Sequence, residues 1–204
     1  MIKTRRVLLH VCCAPCCCSI LESLKKEGYD LTVFFYNPNI HPVDEYEIRK
    51  LEVIRYADKM GIPVVDGDYD TAVWLELTKG LENEPERGKR CDVCFARRMD
   101  VTAAYAHKHG FKAFTSSLGI SRWKDFDQVT RAGRKAASRY PGLEYWAENW
   151  RKKDGTRRMT EITKEENFYR QFYCGCMYSL QNSNAKKDSA KPPTIEELDL
   201  PKKR

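Results

Sequence analysis

A parallel α/β sheet with helices on both faces is the fold class that the sequence predicts, and three observations carry that expectation. Short, compact apolar runs alternate with stretches of helical apolar spacing throughout residues 6–117. Glycine and proline punctuate the joints between them. The 204 residues allow one domain of roughly 150 residues plus an appendage, enough to bury a core without covalent staples.

In chain order, Arg6-Val-Leu-Leu-His-Val11 is the first strand. Residues 12–18 follow as a cysteine-rich loop that leads to a helix over 19–27, closed by Gly28. Leu31-Thr-Val-Phe-Phe-Tyr36 is a second buried strand, ended by the turn Asn37-Pro-Asn39. Asp44 caps a helix whose Ile48, Leu51, Ile54, Ala57 and Met60 share one face, and Gly61-Ile-Pro63 stops it. A short strand over 62–65, a weaker helix over 71–79, a charged loop, a helix over 92–109 and a strand over 111–116 complete the alternation. Ligands of such sheets bind outside the carboxyl ends of the strands. Cys12 and Cys13 end the first strand and Thr115, Ser116 and Ser117 end another, so a site assembled from distant segments is expected there. The expected organisation is one catalytic domain over 1–180, with a sheet core over 1–119 and a basic, mostly helical extension over 120–180. Residues 181–204, with Pro192-Pro193 and a terminal Pro-Lys-Lys-Arg, read as a mobile tail.

The formal net charge is +7, and its distribution is uneven. Residues 1–119 hold 17 basic and 17 acidic side chains, whereas residues 120–158 hold 11 basic against 5 acidic. Trp123, Phe126, Tyr140, Tyr145, Trp146 and Trp150 lie in that same basic segment. Cations neutralise phosphates and interleaved aromatics stack on exposed bases, so the segment has the composition of a tRNA- or single-strand-binding surface. A solvated helix face with core aromatics is the plainer alternative. No apolar run approaches the ~18 residues of a membrane span, and Met1-Ile-Lys-Thr-Arg-Arg6 runs straight into a strand instead of an export signal. No membrane partner is expected.

Nine cysteines are an odd number and fall in three places, which argues for metal or redox chemistry in a reducing, cytoplasmic setting. Cys91-Asp-Val-Cys94 opens a helix and sets two thiols toward one metal or cluster edge. Cys12 and Cys13 are adjacent, so they serve one centre only where the backbone turns, as it does at a strand end. With Cys91 and Cys94 they make four thiolates, enough for a 4Fe-4S cluster or for structural zinc. Cys13-Ala-Pro-Cys16 is itself a C-x-x-C, so Cys16 competes as a ligand or serves a second metal with Asp92. Cys17 and Cys18 read as small buried residues. Cys174-Gly-Cys176 is spaced for a strained, labile disulfide, with extra ligands or buried thiols as the alternative. His10 reads as a hydrogen-bonded core residue, and His41 as a strand-end residue that could donate a proton.

His10-Val-Cys-Cys-Ala-Pro-Cys16, Phe35-Tyr-Asn-Pro-Asn-Ile-His-Pro42 followed by Glu45-Tyr46 and Arg49, Cys91-Asp-Val-Cys94, Phe114-Thr-Ser-Ser-Leu-Gly-Ile-Ser121 and Arg170-Gln-Phe-Tyr-Cys-Gly-Cys176 occur in order over residues 7–177. Together they resemble the QueH family of epoxyqueuosine reductases. The resemblance implies reduction of epoxyqueuosine to queuosine at the wobble position of tRNA, without the cobalamin of the unrelated QueG enzymes. It implies an adenine-nucleotide-hydrolase-like (HUP, PP-loop-like) Rossmann-type fold in which the cysteine loop takes the place of a phosphate loop. It also implies 4Fe-4S ligands at Cys12, Cys13, Cys91 and Cys94 and a redox-active disulfide at Cys174 and Cys176. A second metal, an additional iron ion near Cys16 and Asp92, stays open.

On that reading, Cys174 and Cys176 refill or complement the cluster, and an iron site or an acid such as Asp92, His41 or Tyr46 activates the epoxide oxygen. Arg122, Lys124, Arg131, Arg134 and Lys135 are the expected phosphate contacts, with Trp123 or Trp150 as stacking partners. The partners are the epoxyqueuosine-bearing tRNA and an unidentified electron donor. Two other classes compete. A nucleotide-dependent tRNA thiolase or ligase would need a glycine-rich phosphate loop where Cys12-Cys-Ala-Pro-Cys-Cys-Cys-Ser19 stands, and a non-catalytic, zinc-stabilised RNA-binding module would be colourless.

Overall fold

The computed structural model describes residues 6–152 and 154–184. Its centre is a five-stranded, wholly parallel sheet of β1 (Arg6–His10), β2 (Asp30–Phe35), β3 (Val64–Asp66), β4 (Ala113–Ser116) and β5 (Glu144–Tyr145), in the order β3-β2-β1-β4-β5. Parallel strands need crossovers, and α1 (Ala14–Lys26), α2 (Val43–Lys59), α3 (Thr71–Thr78), α4 (Lys89–Lys108) and α5 (Phe126–Ala137) supply them. The expected α/β architecture is thus present. No helix among the described residues is long and apolar enough to cross a membrane.

Alternation along β1 decides which helices lie on which face. Val7, Leu9 and Val11 belong to one apolar cluster with residues of α1, α2 and α6 (Gly155–Glu165). Leu8 belongs to a second cluster with Phe34, Phe114 and residues of α4 and α5. Two-sided burial explains why β1 is apolar throughout. β1 pairs with β2 on one side and β4 on the other, so the chain reverses its direction of travel across the sheet there. The crevice beyond the carboxyl ends of β1 and β4 is the switch point where such folds bind ligands.

Several boundaries differ from the sequence expectation. α1 begins at Ala14 instead of residue 19, so Cys16, Cys17 and Cys18 are helical and not part of a loop. Extended Cys13 sets the entry and Pro15 suits the first turn, where its missing N–H costs nothing. Pro42, not Asp44, precedes the first turn of α2, and Asp44 lies inside it, favourable to the helix dipole. β5 was not expected: two residues are too short to show a period. It joins the sheet because α5 carries Gly133, where a Cβ would come within 2.5 Å of the Tyr145 ring. α7 (Met177–Asn184) takes in the first residues of the expected tail, and 185–204 lie outside the described residues.

The segment after α6 is anchored on α2. Glu52 of α2 accepts the Tyr169 N–H at 2.8 Å, Tyr169 Oη donates to Glu45 at 2.8 Å, and Arg55 donates to Glu166. Burial pushes the Glu52 carboxyl from an ordinary 4.5 up to about 7. Between those values the folded chain keeps a proton that the unfolded chain has released, so stability falls as pH rises through that window. Glu52→Gln keeps an oxygen for Tyr169 and is expected to flatten this slope, raising stability near pH 8 by on the order of 1 kcal/mol in urea unfolding. An unchanged slope between about pH 5 and pH 8 would remove Glu52 as its source.

Candidate metal and redox site

Three segments converge at the switch point. Cys12 and Cys13 leave β1, Cys16 follows in the first turn of α1, Cys91 and Cys94 lie in the opening turns of α4, and Cys174 and Cys176 arrive from the segment before α7. Beneath them is a buried polar network. His10, fully buried, pairs through Nδ1 with Ser116 Oγ at 2.9 Å and through Nε2 with the Tyr36 carbonyl at 3.1 Å. The carbonyl can only accept, so Nε2 carries the proton and Nδ1 accepts from the serine hydroxyl. Burial, with the Arg98 cation beside it, lowers the His10 pKa to about 3, which keeps the ring neutral. The expectation of a hydrogen-bonded core histidine holds.

The sulfurs of Cys12, Cys13 and Cys16 lie within 4.8 Å of one another, a group that could hold a metal ion. Hydrogen bonds from Cys13 and Cys16 hold the Cys12 thiol well below its usual range, against its burial, and Arg98 and His10 add to the effect. The same coupling and burial push the Cys13 and Cys16 thiols up. The three thiols therefore titrate as a unit. Gln171 donates to Cys13 Sγ at 3.0 Å, and Cys12 N–H donates to Ser117 Oγ at 3.4 Å. Cys17 and Cys18 are buried in the core, as expected.

Spacing of three and four residues puts Cys91, Cys94 and Arg98 along one side of α4. Burial pushes the Cys91 thiol up to about 11, and the nearby Cys174 adds to it. Cys94 is raised by burial, opposed by Arg98. Cys94 and Cys176 pack with the buried Trp74, and burial together with Cys174 pushes the Cys176 thiol up to about 12. Arg98 is fully enclosed; it donates to the Asn37 amide oxygen at 2.6 Å, and its Nε lies 3.4 Å from His10 Nε2, which already carries a proton and cannot accept from it. A buried guanidinium with only neutral partners calls for an anion. Arg98 favours the charged form at both Cys12 and Cys94, and of the two it is the Cys12 thiol that is held low.

The Cys174-Gly-Cys176 segment is fixed by its backbone. Arg49, paired with Glu45 at 2.6 Å and buried, donates to the carbonyls of Tyr173 and Cys174 at 3.3 and 3.2 Å. His41 N–H donates to the Gly175 carbonyl at 2.7 Å. Gly175 has φ +120, and a Cβ there would meet Ile40 at 3.0 Å and Arg49 at 3.1 Å, so only glycine lies this close. His41 Nδ1 donates to the Asn39 carbonyl at 2.9 Å; its Nε2 is buried without a partner, and its ring lies 5.6 Å from that of Trp74.

One expected phosphate contact is corrected. Lys124 does not face solvent: the turn in which its N–H donates to Ser121 aims the side chain inward, where its ammonium donates to Cys174 Sγ at 2.5 Å. Arg122, Arg131, Arg134 and Lys135 are exposed. Asp92 is exposed and lies 3.9 Å from Arg131, while Cys16 is grouped with Cys12 and Cys13. Tyr46, fully buried, stacks on Tyr69 at 3.8 Å and donates to Asp66. Trp150 is packed against the core, close to Gly119. Arg98 is the site residue that the sequence reading misses, although it lies one helical turn after Cys94; Gln171 lies within the Arg170–Cys176 motif, and only the inward direction of Lys124 has no sequence signal.

Against known proteins, the family model described as "Epoxyqueuosine reductase QueH" matches residues 7–182. The chain belongs to the epoxyqueuosine reductase QueH family. It is 56% identical over 179 residues to the Acinetobacter baylyi epoxyqueuosine reductase QueH, covering 88% of this chain and 82% of that one. The QueH of Haemophilus influenzae is 53% identical over 191 residues, 94% of this chain and 78% of the other. Thermotoga maritima QueH is 34% identical over 177 residues, 85% of this chain and 90% of the other. The match takes in all three cysteine segments of this QueH-family chain.

Arg49→Lys keeps the charge but cannot fork between Glu45 and two carbonyls. It is expected to cost about 1–3 kcal/mol in urea unfolding and to speed amide exchange across residues 173–176. Unchanged exchange there would show that the segment is held by something else.

Proposed function

We propose that this chain is an oxidoreductase that converts epoxyqueuosine to queuosine at the wobble position of tRNA, without cobalamin, in the reducing cytosol. The observation that carries the reading is the packing of cysteines from three segments far apart in sequence beside the sheet's switch point: the buried Arg98 acts on Cys12 and Cys94, and Cys94 packs with Cys176 around Trp74.

The reaction breaks both C–O bonds of the epoxide, forms a carbon–carbon double bond and releases the oxygen as water. It consumes two electrons and two protons. A dithiol that closes to a disulfide releases two electrons and two protons, so epoxide plus dithiol gives alkene, disulfide and water. Cys174 and Cys176 are the pair assigned to this step. Lys124 holds the Cys174 sulfur, and Arg49 holds the backbone of the pair. His41, with Nε2 unpartnered beside Trp74, is the group assigned to proton delivery. An external electron donor then restores the thiols.

Cys12, Cys13, Cys91 and Cys94 are the residues that would hold a 4Fe-4S cluster, and the donor set fits it. All four are thiols, and Arg98, buried without an anion, acts on Cys12 and Cys94. When bound, such a cluster supplies electrons one at a time. An additional iron ion at Cys16 and Asp92 is supported on the sulfur side alone, since Asp92 faces Arg131. Arg122, Arg131, Arg134 and Lys135 are assigned to tRNA phosphates.

Anaerobically reconstituted protein, given epoxyqueuosine-bearing tRNA and a chemical reductant, is expected to yield queuosine among the digested nucleosides. No product from brown, cluster-loaded protein would contradict the reading, and colourless protein with stoichiometric zinc would favour a zinc-stabilised RNA-binding module. Cys12→Ser and Cys94→Ser are each expected to lose the visible absorption together with activity. A Cys174→Ser, Cys176→Ser double variant should keep the absorption and lose repeated turnover; turnover at the parent rate would exclude the dithiol.

A further inference from the structure

Trp123 is the most exposed of the large apolar side chains among the described residues, at 62%. A tryptophan left in water needs a reason, and its surroundings supply one. The guanidinium of Arg122 lies 4.8 Å over its ring, covering one face with a cation and leaving the other open. Two cationic side chains tie the same turn to the thiol site. Arg87 donates through Nε to the Trp123 carbonyl at 3.1 Å and through a terminal nitrogen to the Arg122 carbonyl at 3.2 Å. Its own backbone N–H donates to Cys91 Sγ at 3.3 Å. The next residue after Trp123, Lys124, donates to Cys174 Sγ.

Arg87 performs this at φ +68, left-handed backbone that is strained for a residue with a side chain. Gln128 Nε2, donating to the Arg87 carbonyl at 3.0 Å, helps hold it there. One strained arginine therefore spans from a candidate cluster sulfur to the main chain that carries an exposed indole. The geometry sets the indole at the mouth of the cysteine site, with its backbone positioned from both sides.

We propose that Trp123 is a stacking platform for a tRNA base next to the modified one, and that Arg87 positions it relative to the sulfurs. The inference rests on the proposed tRNA reading and deepens it. A base on the open face of the indole is sandwiched on the side opposite Arg122, as nucleobase–aromatic contacts with an arginine behind the ring are built. Arg87 is a positioning residue, because its guanidinium is spent on two carbonyls instead of a phosphate.

The test measures binding of epoxyqueuosine-bearing tRNA, and of an unmodified anticodon stem-loop, by parent, Trp123→Ala, Trp123→Phe and Arg87→Gly proteins across a range of salt. Stacking is worth a factor of about five or more in Kd, so Trp123→Ala is expected to bind at least that much more weakly, and Trp123→Phe to recover most of the loss. Neither removes a phosphate contact, so the slope of log Kd against log salt stays at the parent value. Arg87→Gly accepts the left-handed backbone and keeps the N–H to Cys91 while deleting the bracket. It should weaken binding with an unchanged slope, and combining it with Trp123→Ala should add little. Parent-like binding by Trp123→Ala overturns the platform, and a salt slope lowered by about one in Arg87→Gly makes Arg87 a phosphate ligand and overturns its positioning role. If the parent itself binds neither RNA above an unrelated control, the tRNA reading fails, and the platform fails with it. Far-ultraviolet circular dichroism of each variant confirms that the fold is retained.

Discussion

The buried Arg49–Glu45 pair is the interaction on which the site depends. The cysteine segments at residues 12–16 and 91–94 are placed by the sheet and by the start of α4, both of which follow from apolar periodicity. Residues 174–176 have no such anchor: they precede a short helix and carry few apolar side chains. Arg49 joins them to the fold by spending one edge on Glu45 and its other donors on two carbonyls. Two charges taken out of water repay their desolvation only when every donor is used. Here each nitrogen of the guanidinium has an acceptor, and Tyr169 occupies the second oxygen of Glu45.

Around that pair the molecule separates its electrostatic tasks. Arg49, Arg90 and Arg98 are all enclosed, and each faces the cysteine region or the loops that frame it. Arg90 donates to the carbonyls of Leu81 and Glu82 and lies 4.8 Å over the Tyr178 ring, tying the charged loop before α4 to α7. Cations buried in this way favour anionic sulfur, which protein thiols otherwise resist on burial. The outer cations Arg122, Arg131, Arg134 and Lys135 remain in water, where they suit a polyanion. Lys124 marks the border between the two sets, on a basic, exposed turn but committed to Cys174.

Much of the fold was legible because burial on both faces writes itself as unbroken apolar runs, as in β1 and β2. What was not legible has local causes. The early start of α1 was hidden by its cysteines, which fit a loop or a buried helical turn equally well. β5 has two residues and depends on Gly133, so nothing in its own sequence announces it. Within the site, residue types at strand ends and helix starts named the cysteines, since chemistry restricts what such clusters can be. The direction of Lys124 could not be read, because a turn can aim a long side chain inward or outward with the same composition. Asp92 shows the reverse: its neighbours in sequence suggested a ligand, and its nearest charge is Arg131.

In the proposed reaction the pair at Cys174 and Cys176 supplies the two electrons. The most direct measurement is a single turnover of reduced, cluster-loaded protein on epoxyqueuosine-bearing tRNA with no external reductant, followed by acid quench, alkylation of free thiols and peptide mass spectrometry. Queuosine is expected in proportion to a newly formed Cys174–Cys176 disulfide. Queuosine formed while both sulfurs remain free and alkylated would contradict it.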